Sequence, residues 1–328
     1  MASFRLNSVR SSARFMLVVG LGIGAWSSQV GAQQQPTGFA LDRFYPSAPG
    51  GGWFVMDDLN ISGGLGGAIE LTTDYARDPL VIPGSDGMRG FALVSDEALV
   101  DLGAAVTYDR YRLYFNIPMP VLDTGSSGAF GSYQLSAPNL GIANDPDTVS
   151  DPRLGVDARL FGEQGESLRL GVGAQIIFPS GSRSDYVSDA RYRGMFRFLA
   201  AGDDGAFSYA GQLGVQVRPL VDSIVPGGAD GSELLFGVSG GRKFPASSGW
   251  TVVVGPEIFG ETAFRSFFGQ QQTGMEGLMT ARFERTSHEP HLRIKMGVGH
   301  GLVEHFGAPE WRLLAGVELL GQGLGGGN

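Results

Sequence analysis

Four His, no Cys and a set of charged residues spaced two apart are the parts of this 328-residue sequence that could do chemistry. Without Cys there is no disulfide framework, no thiolate zinc site and no cysteine nucleophile. A Ser–His hydrolase needs a Ser within reach of a His that a third group orients. His288 falls in a short polar turn, His291 opens an alternating segment, and His300 and His305 flank a Gly-rich link. None has a Ser motif beside it, and Gly181-Ser182-Arg183-Ser184 lacks the needed neighbours. A lipid-modifying enzyme using His291 or His300 is therefore the third of three functional readings, and no catalytic residue is assigned. His300, Glu304 and His305 have the types to meet a metal, but at loop spacing they read as solvated side chains, so no metal or cofactor is expected. The run Gly63-Gly64-Leu65-Gly66-Gly67 is followed by no helix, and it reads as strand glycine rather than a phosphate loop.

The charged residues carry the stronger signal. Arg112, Arg153, Asp157, Arg159, Arg169, Arg191, Arg193, Arg197, Glu257, Glu261, Glu276, Arg282, Arg293, Lys295 and Glu318, together with Glu70, Asp74, Glu97, Asp101 and Glu284, share the polar parity of alternating segments. In a closed sheet they would line a lumen. Rings of charge set ion preference in an open pore, whereas opposite charges in a filled interior pair and hold the wall rigid. The mixture of signs favours pairing; Arg191, Arg193 and Arg197 on one segment are the candidate anion-attracting wall.

Positioning these charges requires strands. From Ile61 onward apolar and polar residues alternate with period two, which puts them on opposite faces of an extended chain. Leu168, Leu170, Val172, Ala174, Ile176 and Phe178 alternate with Arg169, Gly171, Gly173 and Gln175, and Leu292, Ile294, Met296 and Val298 alternate with His291, Arg293, Lys295 and Gly297. About twelve such segments are expected, over 61–75, 91–108, 111–122, 152–161, 167–179, 190–200, 206–218, 232–243, 250–262, 274–285, 291–300 and 310–320. Short links at 109–110, 163–166, 202–205, 245–249 and 286–290 alternate with longer ones at 76–90, 123–151, 180–189, 219–231, 263–273 and 301–309. Short periplasmic turns alternating with longer outer loops characterise a transmembrane antiparallel up-and-down β-barrel. Aromatics cluster at both segment ends: Tyr108, Tyr111, Phe161, Phe198, Phe207, Phe244, Trp250 and Phe283 by the short links, Tyr75, Phe91, Phe178, Tyr192 and Trp311 by the long ones. Two interfacial girdles are expected.

At the amino terminus, Arg5, Arg10 and Arg14 precede an apolar run from Phe15 to Trp26 and a small-residue end at Val30-Gly31-Ala32. The run is too short to cross a bilayer as a helix, so residues 1–32 read as a cleavable signal peptide. Residues 33–60, with Pro, Gly and aromatics but no clean period, read as a periplasmic leader or partial plug of the lumen; 61–320 is the barrel and 321–328 a Gly-rich tail. The formal charge of −9 becomes more negative once the signal is removed, which disfavours nucleic acid as a partner. The expected partners are outer-membrane lipid and lipopolysaccharide, the outer-membrane insertion machinery, and solutes or ions in the lumen.

Two stretches also suggest a family. Gly38-Phe39-Ala40-Leu41-Asp42-Arg43-Phe44, with Pro46-Ser47, Gly50 to Trp53-Phe54 and Asp58-Leu59-Asn60, resembles the opening of the amino-terminal barrels of myxobacterial OmpA-like proteins. Tyr111-Arg112-Leu113-Tyr114-Phe115-Asn116-Ile117-Pro118-Met119-Pro120 resembles a strand of the same barrels. The resemblance implies an outer-membrane barrel. In many such proteins a peptidoglycan-binding domain follows; here the last strand is followed only by Gly321 to Asn328. The first functional reading is a narrow passive pore or structural envelope protein. The second is a transporter of hydrophobic compounds with a plugged lumen.

Overall fold

A computed structural model describes residues 38–61, 63–84, 89–141, 148–220, 231–269, 272–285, 287, 290–303 and 307–322. The signal-peptide reading of 1–32, the start of the leader, His288, Glu304, His305 and the end of the tail lie outside these residues.

Among the described residues fifteen strands form, and alternation is their cause: each long strand has one apolar and one polar side. They are β1 Leu65–Pro83, β2 Arg89–Tyr108, β3 Tyr111–Thr124, β4 Gly128–Phe130, β5 Tyr133–Leu135, β6 Asn139–Gly141, β7 Arg153–Phe161, β8 Arg169–Ile177, β9 Arg193–Asp204, β10 Phe207–Val217, β11 Glu233–Pro245, β12 Trp250–Ala263, β13 Thr273–Arg285, β14 His291–Val303 and β15 Trp311–Gln322. Twelve of them pair antiparallel with their neighbours, with β3 bonded to β7 and β15 returning to β1, so the sheet closes. Closure satisfies the edge donors and acceptors that hydrocarbon could not. The short strands β4, β5 and β6 lie in the β3–β7 connection, β6 extending the outer end of β3.

The two faces separate sharply. Ile69 is 64% exposed and Phe198 70%, and Leu71, Leu102, Val156, Leu170, Val238, Met296 and Val317 share that outward face. Tyr108, Tyr111, Phe161, Phe207 and Phe244 are exposed at the short-turn end, Tyr192 and Trp311 at the other. The intervening residues are buried although many are charged.

Several expectations need correction. Ile61 is not an outward strand residue; it is fully buried, and β1 starts only at Leu65. The link 76–90 is mostly strand, because β1 runs to Pro83 and β2 starts at Arg89, with register shifts after Arg77. Phe91 packs against a buried cluster of Leu80, Ile82, Leu93 and Tyr186 rather than joining an outer girdle. Gly321 and Gln322 belong to β15, not to a tail. Arg191 is exposed and precedes β9. Ala190 has φ +52°, and a left-handed residue breaks the two-residue alternation from which an inward Arg191 was inferred.

Candidate functional site

The interior holds both the charged wall and residues 38–61 of the same chain. This segment starts among the long connections: the Ala40 N–H donates to Asp189 Oδ1 at 2.8 Å, and the Leu41 N–H to the Tyr186 carbonyl at 2.8 Å. Asp42 lies 3.4 Å from Arg312 at the outer end of β15, and Arg43 3.4 Å from Glu233 at the outer end of β11. Farther along, Asp57 meets Arg112, and the Asp58 carbonyl accepts from Arg169 at 2.9 Å, both cations being near the short turns. The segment therefore runs the length of the barrel before β1 begins.

Its middle doubles back. The Ser47 N–H donates to the Phe54 carbonyl and the Asp58 N–H to the Gly51 carbonyl, each at 2.8 Å. Gly50 and Gly52 have φ near +90°, which a side chain would resist, so the Gly50-Gly51-Gly52 run is what lets the chain reverse in so narrow a space. Wall glycines make the room: a Cβ on Gly241 would lie 2.7 Å from Trp53, and one on Gly297 2.9 Å from Phe54.

Phe44, Trp53, Phe54, Val55, Met56 and Leu59 form one buried cluster with Leu199, Ala201, Ala210, Val253, Phe259, Leu278 and Leu314 from the wall. Cations cap its rings: Arg282 stands 4.8 Å from the Trp53 centroid, and Lys295 and Arg312 stand 5.2 Å from Phe54 and Phe44. These contacts combine apolar burial with attraction to the ring face.

Glu257 on β12 is the principal anchor. Its Oε1 accepts from the Phe54 N–H at 2.9 Å and the Thr280 hydroxyl at 2.7 Å; its Oε2 accepts from the Val55 N–H at 2.9 Å and the Met56 N–H at 3.3 Å. Three successive amides facing one carboxylate make an anion cradle, turned here on the protein's own side chain.

Apart from Arg191, the other charged candidates are also inside, and most are paired. Lys295 donates to Glu70 and Glu318 at 2.7 Å each, while Arg293 reaches Glu318 at 2.5 Å and Glu284 at 2.9 Å. Arg112 reaches Asp157 at 2.7 Å, and Arg197 contacts the other oxygen of Asp157 at 3.2 Å. Arg153 pairs with Asp101 at 3.0 Å, Arg193 with Asp151 at 2.9 Å, Arg159 with Glu163 at 2.7 Å and Arg169 with Asp203 at 2.8 Å. Arg282 reaches Glu284 at 3.1 Å, Glu261 lies 3.7 Å from Arg43, and Glu276 accepts from Arg312 at 2.9 Å. With Arg191 outside and Arg193 and Arg197 bound to acids, those three do not make a free anion-attracting wall. Sequence reading passed over Arg312, fully buried on the same parity as Glu318, which was the available signal.

Between β8 and β9, burial would push the Asp189 carboxyl up, but two hydrogen bonds from Arg218 and the charges of Arg218, Arg193 and Arg43 hold it below the usual carboxylate range. This acid also accepts the Ala40 amide, so it ties the inner segment to the outer loops.

Water-sized space remains at both ends. A cavity of about 50 Å³ lies near Tyr45, Asp74, Glu97 and Asp101, and one of about 140 Å³ near Pro49, Arg112, His291 and Arg293.

No known protein family matches the chain, and no curated protein matches it. Among solved structures it is similar to an outer membrane channel from Pseudomonas putida F1, with a TM-score of 0.52, 13% identity and coverage of 79% of this chain and 96% of that one. It is also similar to LpxR from Salmonella typhimurium (TM-score 0.39, 12% identity, 76% and 99% covered) and to an anion-selective porin from Comamonas acidovorans (TM-score 0.31, 10% identity, 78% and 98% covered). The first likeness shows a common outer-membrane-type barrel fold.

Proposed function

We propose that the chain is an integral outer-membrane barrel acting as a narrow passive channel that its own residues 38–61 hold shut. The observation that carries this reading is the path of that segment through the whole lumen, from the outer loops to the short-turn end. Water-sized cavities lie at either end, and the aromatic cluster of Phe44, Trp53, Phe54 and Phe259 interrupts the route between them. A hydrophobic constriction of this kind stops ions by excluding water. The outward apolar face meets lipid and lipopolysaccharide, and the chain reaches the membrane by signal-directed export and the barrel-insertion machinery. Its relationship to the barrels of myxobacterial OmpA-like proteins rests on the two sequence stretches alone. The channel from Pseudomonas putida F1 agrees with this reading through its fold.

Planar-bilayer recording of refolded protein tests it. The full chain should show little steady current, and a variant lacking residues 38–60 should show stable open levels. Equal open levels from both would refute closure by this segment.

A further inference from the structure

Two buried acids stand apart from the paired network. Glu97 on β2 and Asp123 on β3 are directly opposite in register. They are 2% and 0% exposed, and none of their four carboxylate oxygens has a hydrogen-bond partner. Among the described residues no other acid has both oxygens fully enclosed and without a hydrogen bond.

A local irregularity creates this opposition. On β3 the buried positions are first even-numbered, namely Arg112, Tyr114, Asn116 and Pro120. Leu99 then pairs with Pro120 and Ala98 with Leu122, leaving Val121 as an extra residue. Such a bulge reverses the alternation and re-aims the side chains beyond it. Asp123 is thereby turned inward, to face Glu97.

Like charges directly across a strand pair repel, and desolvation makes an uncompensated pair costlier. The described surroundings do not bond a cation to either acid. Asp42 and Asp74 line the same cavity as Glu97, and Asp74 Oδ1 is also unpartnered. Arg312 is already shared by Asp42, Asp74 and Glu276. Among the described residues the buried charges comprise fifteen carboxylates and twelve cations, so the interior as a whole leans the same way.

We propose that Glu97 and Asp123 together bind a hydrated divalent cation, Mg²⁺ or Ca²⁺, at the outer mouth of the barrel. Space decides the class. About 50 Å³ beside Glu97 holds a few waters but no organic cation of useful size. No group of three or more His, Cys, Asp or Glu converges at metal-ligand spacing among the described residues. Two carboxylates completed by water are the coordination Mg²⁺ commonly takes, and Ca²⁺ accepts the same oxygens. The ion would tie β2 to β3 and offset the charges of Asp42 and Asp74. The site does not depend on whether the barrel conducts.

Calorimetric titration of MgCl₂, and separately CaCl₂, into chelator-stripped full-length protein in detergent tests the site, with circular dichroism following thermal unfolding. Wild type should bind one ion of at least one metal, and Tm should rise with that metal and fall with chelator. E97Q and D123N should each weaken binding by more than the roughly tenfold that losing a supporting residue costs, and their Tm should stop responding to metal. If wild type binds neither ion at millimolar concentration, the pair shares a proton instead and the proposal fails. If both variants bind as wild type does, the ion sits elsewhere and the proposal also fails. Each substitution removes one of two facing charges, so either variant that refolds decides the matter.

Discussion

The short-turn half of the interior and its outer mouth use the same residue types, but they dispose of charge differently. Near the short turns, Lys295 sits between Glu70 and Glu318, Arg293 between Glu318 and Glu284, and Arg112 between Asp57 and Asp157. At the mouth, Arg312 and Arg218 are likewise engaged, yet Glu97 and Asp123 are left facing each other. The difference teaches that one half is organised to hold the inner segment in place, whereas the other keeps two facing acids that no cation among the described residues bonds.

Removing a paired charge should have the largest effect. Lys295→Ala leaves the buried Glu70 with only the Thr72 hydroxyl and Glu318 with only Arg293, and should cost about 3–5 kcal/mol, measured by urea unfolding in detergent. Glu97→Gln, measured in chelator, should leave stability unchanged or raise it. Similar losses in the two variants would erase the contrast between the halves.

Next come Leu170→Arg and Ile294→Arg, expected to cost on the order of 2–4 kcal/mol if that face lies at mid-bilayer. Leu170 is 41% exposed and outward-facing, whereas Gln175 is buried and bonded to Tyr114. An equal response to Gln175→Arg would contradict the facing of β8.

Glu257→Ala removes the acceptor shared by three backbone amides and Thr280. A loss of about 1–3 kcal/mol is expected for the donors left without partners, together with bilayer currents that wild type lacks. A silent variant with unchanged stability would show that the aromatic cluster alone retains the segment.

The smallest expected effect comes from acid. Asp189 is held below the ordinary carboxylate range, so its stabilising contribution is present above the unfolded value of about 3.9 and is lost as pH falls through the lower folded value. Hydrogen-exchange protection of the Ala40 amide should therefore persist from neutrality to about pH 4 and weaken only below it. Weakening already at pH 6 would mean that another group controls the contact.

Much of the wall was legible in the sequence. A strand's two faces follow from parity alone, so Leu170, Ile294, Arg169 and Lys295 could be assigned without knowing their neighbours. Parity fails where the backbone departs from regular extension. The left-handed Ala190 removed Arg191 from the interior, and the extra Val121 brought Asp123 into it. Neither event has a residue signature strong enough to read, because each depends on how two strands are brought into register.

The inner segment shows the same boundary. Its aromatics, its Gly run and its lack of period marked it as something other than a strand. Its route was not readable, since wall glycines such as Gly241 and Gly297 make room for it only after distant strands have closed around them.

By itself, the sequence determined the barrel class, the approximate strands and which face of each is greasy, because those are local consequences of two-residue periodicity. Only the tertiary structure decided which charges neutralise one another, where the inner segment lies and which acids are left facing. Those outcomes depend on closure and register, which bring together residues more than two hundred positions apart, such as Lys295 and Glu70.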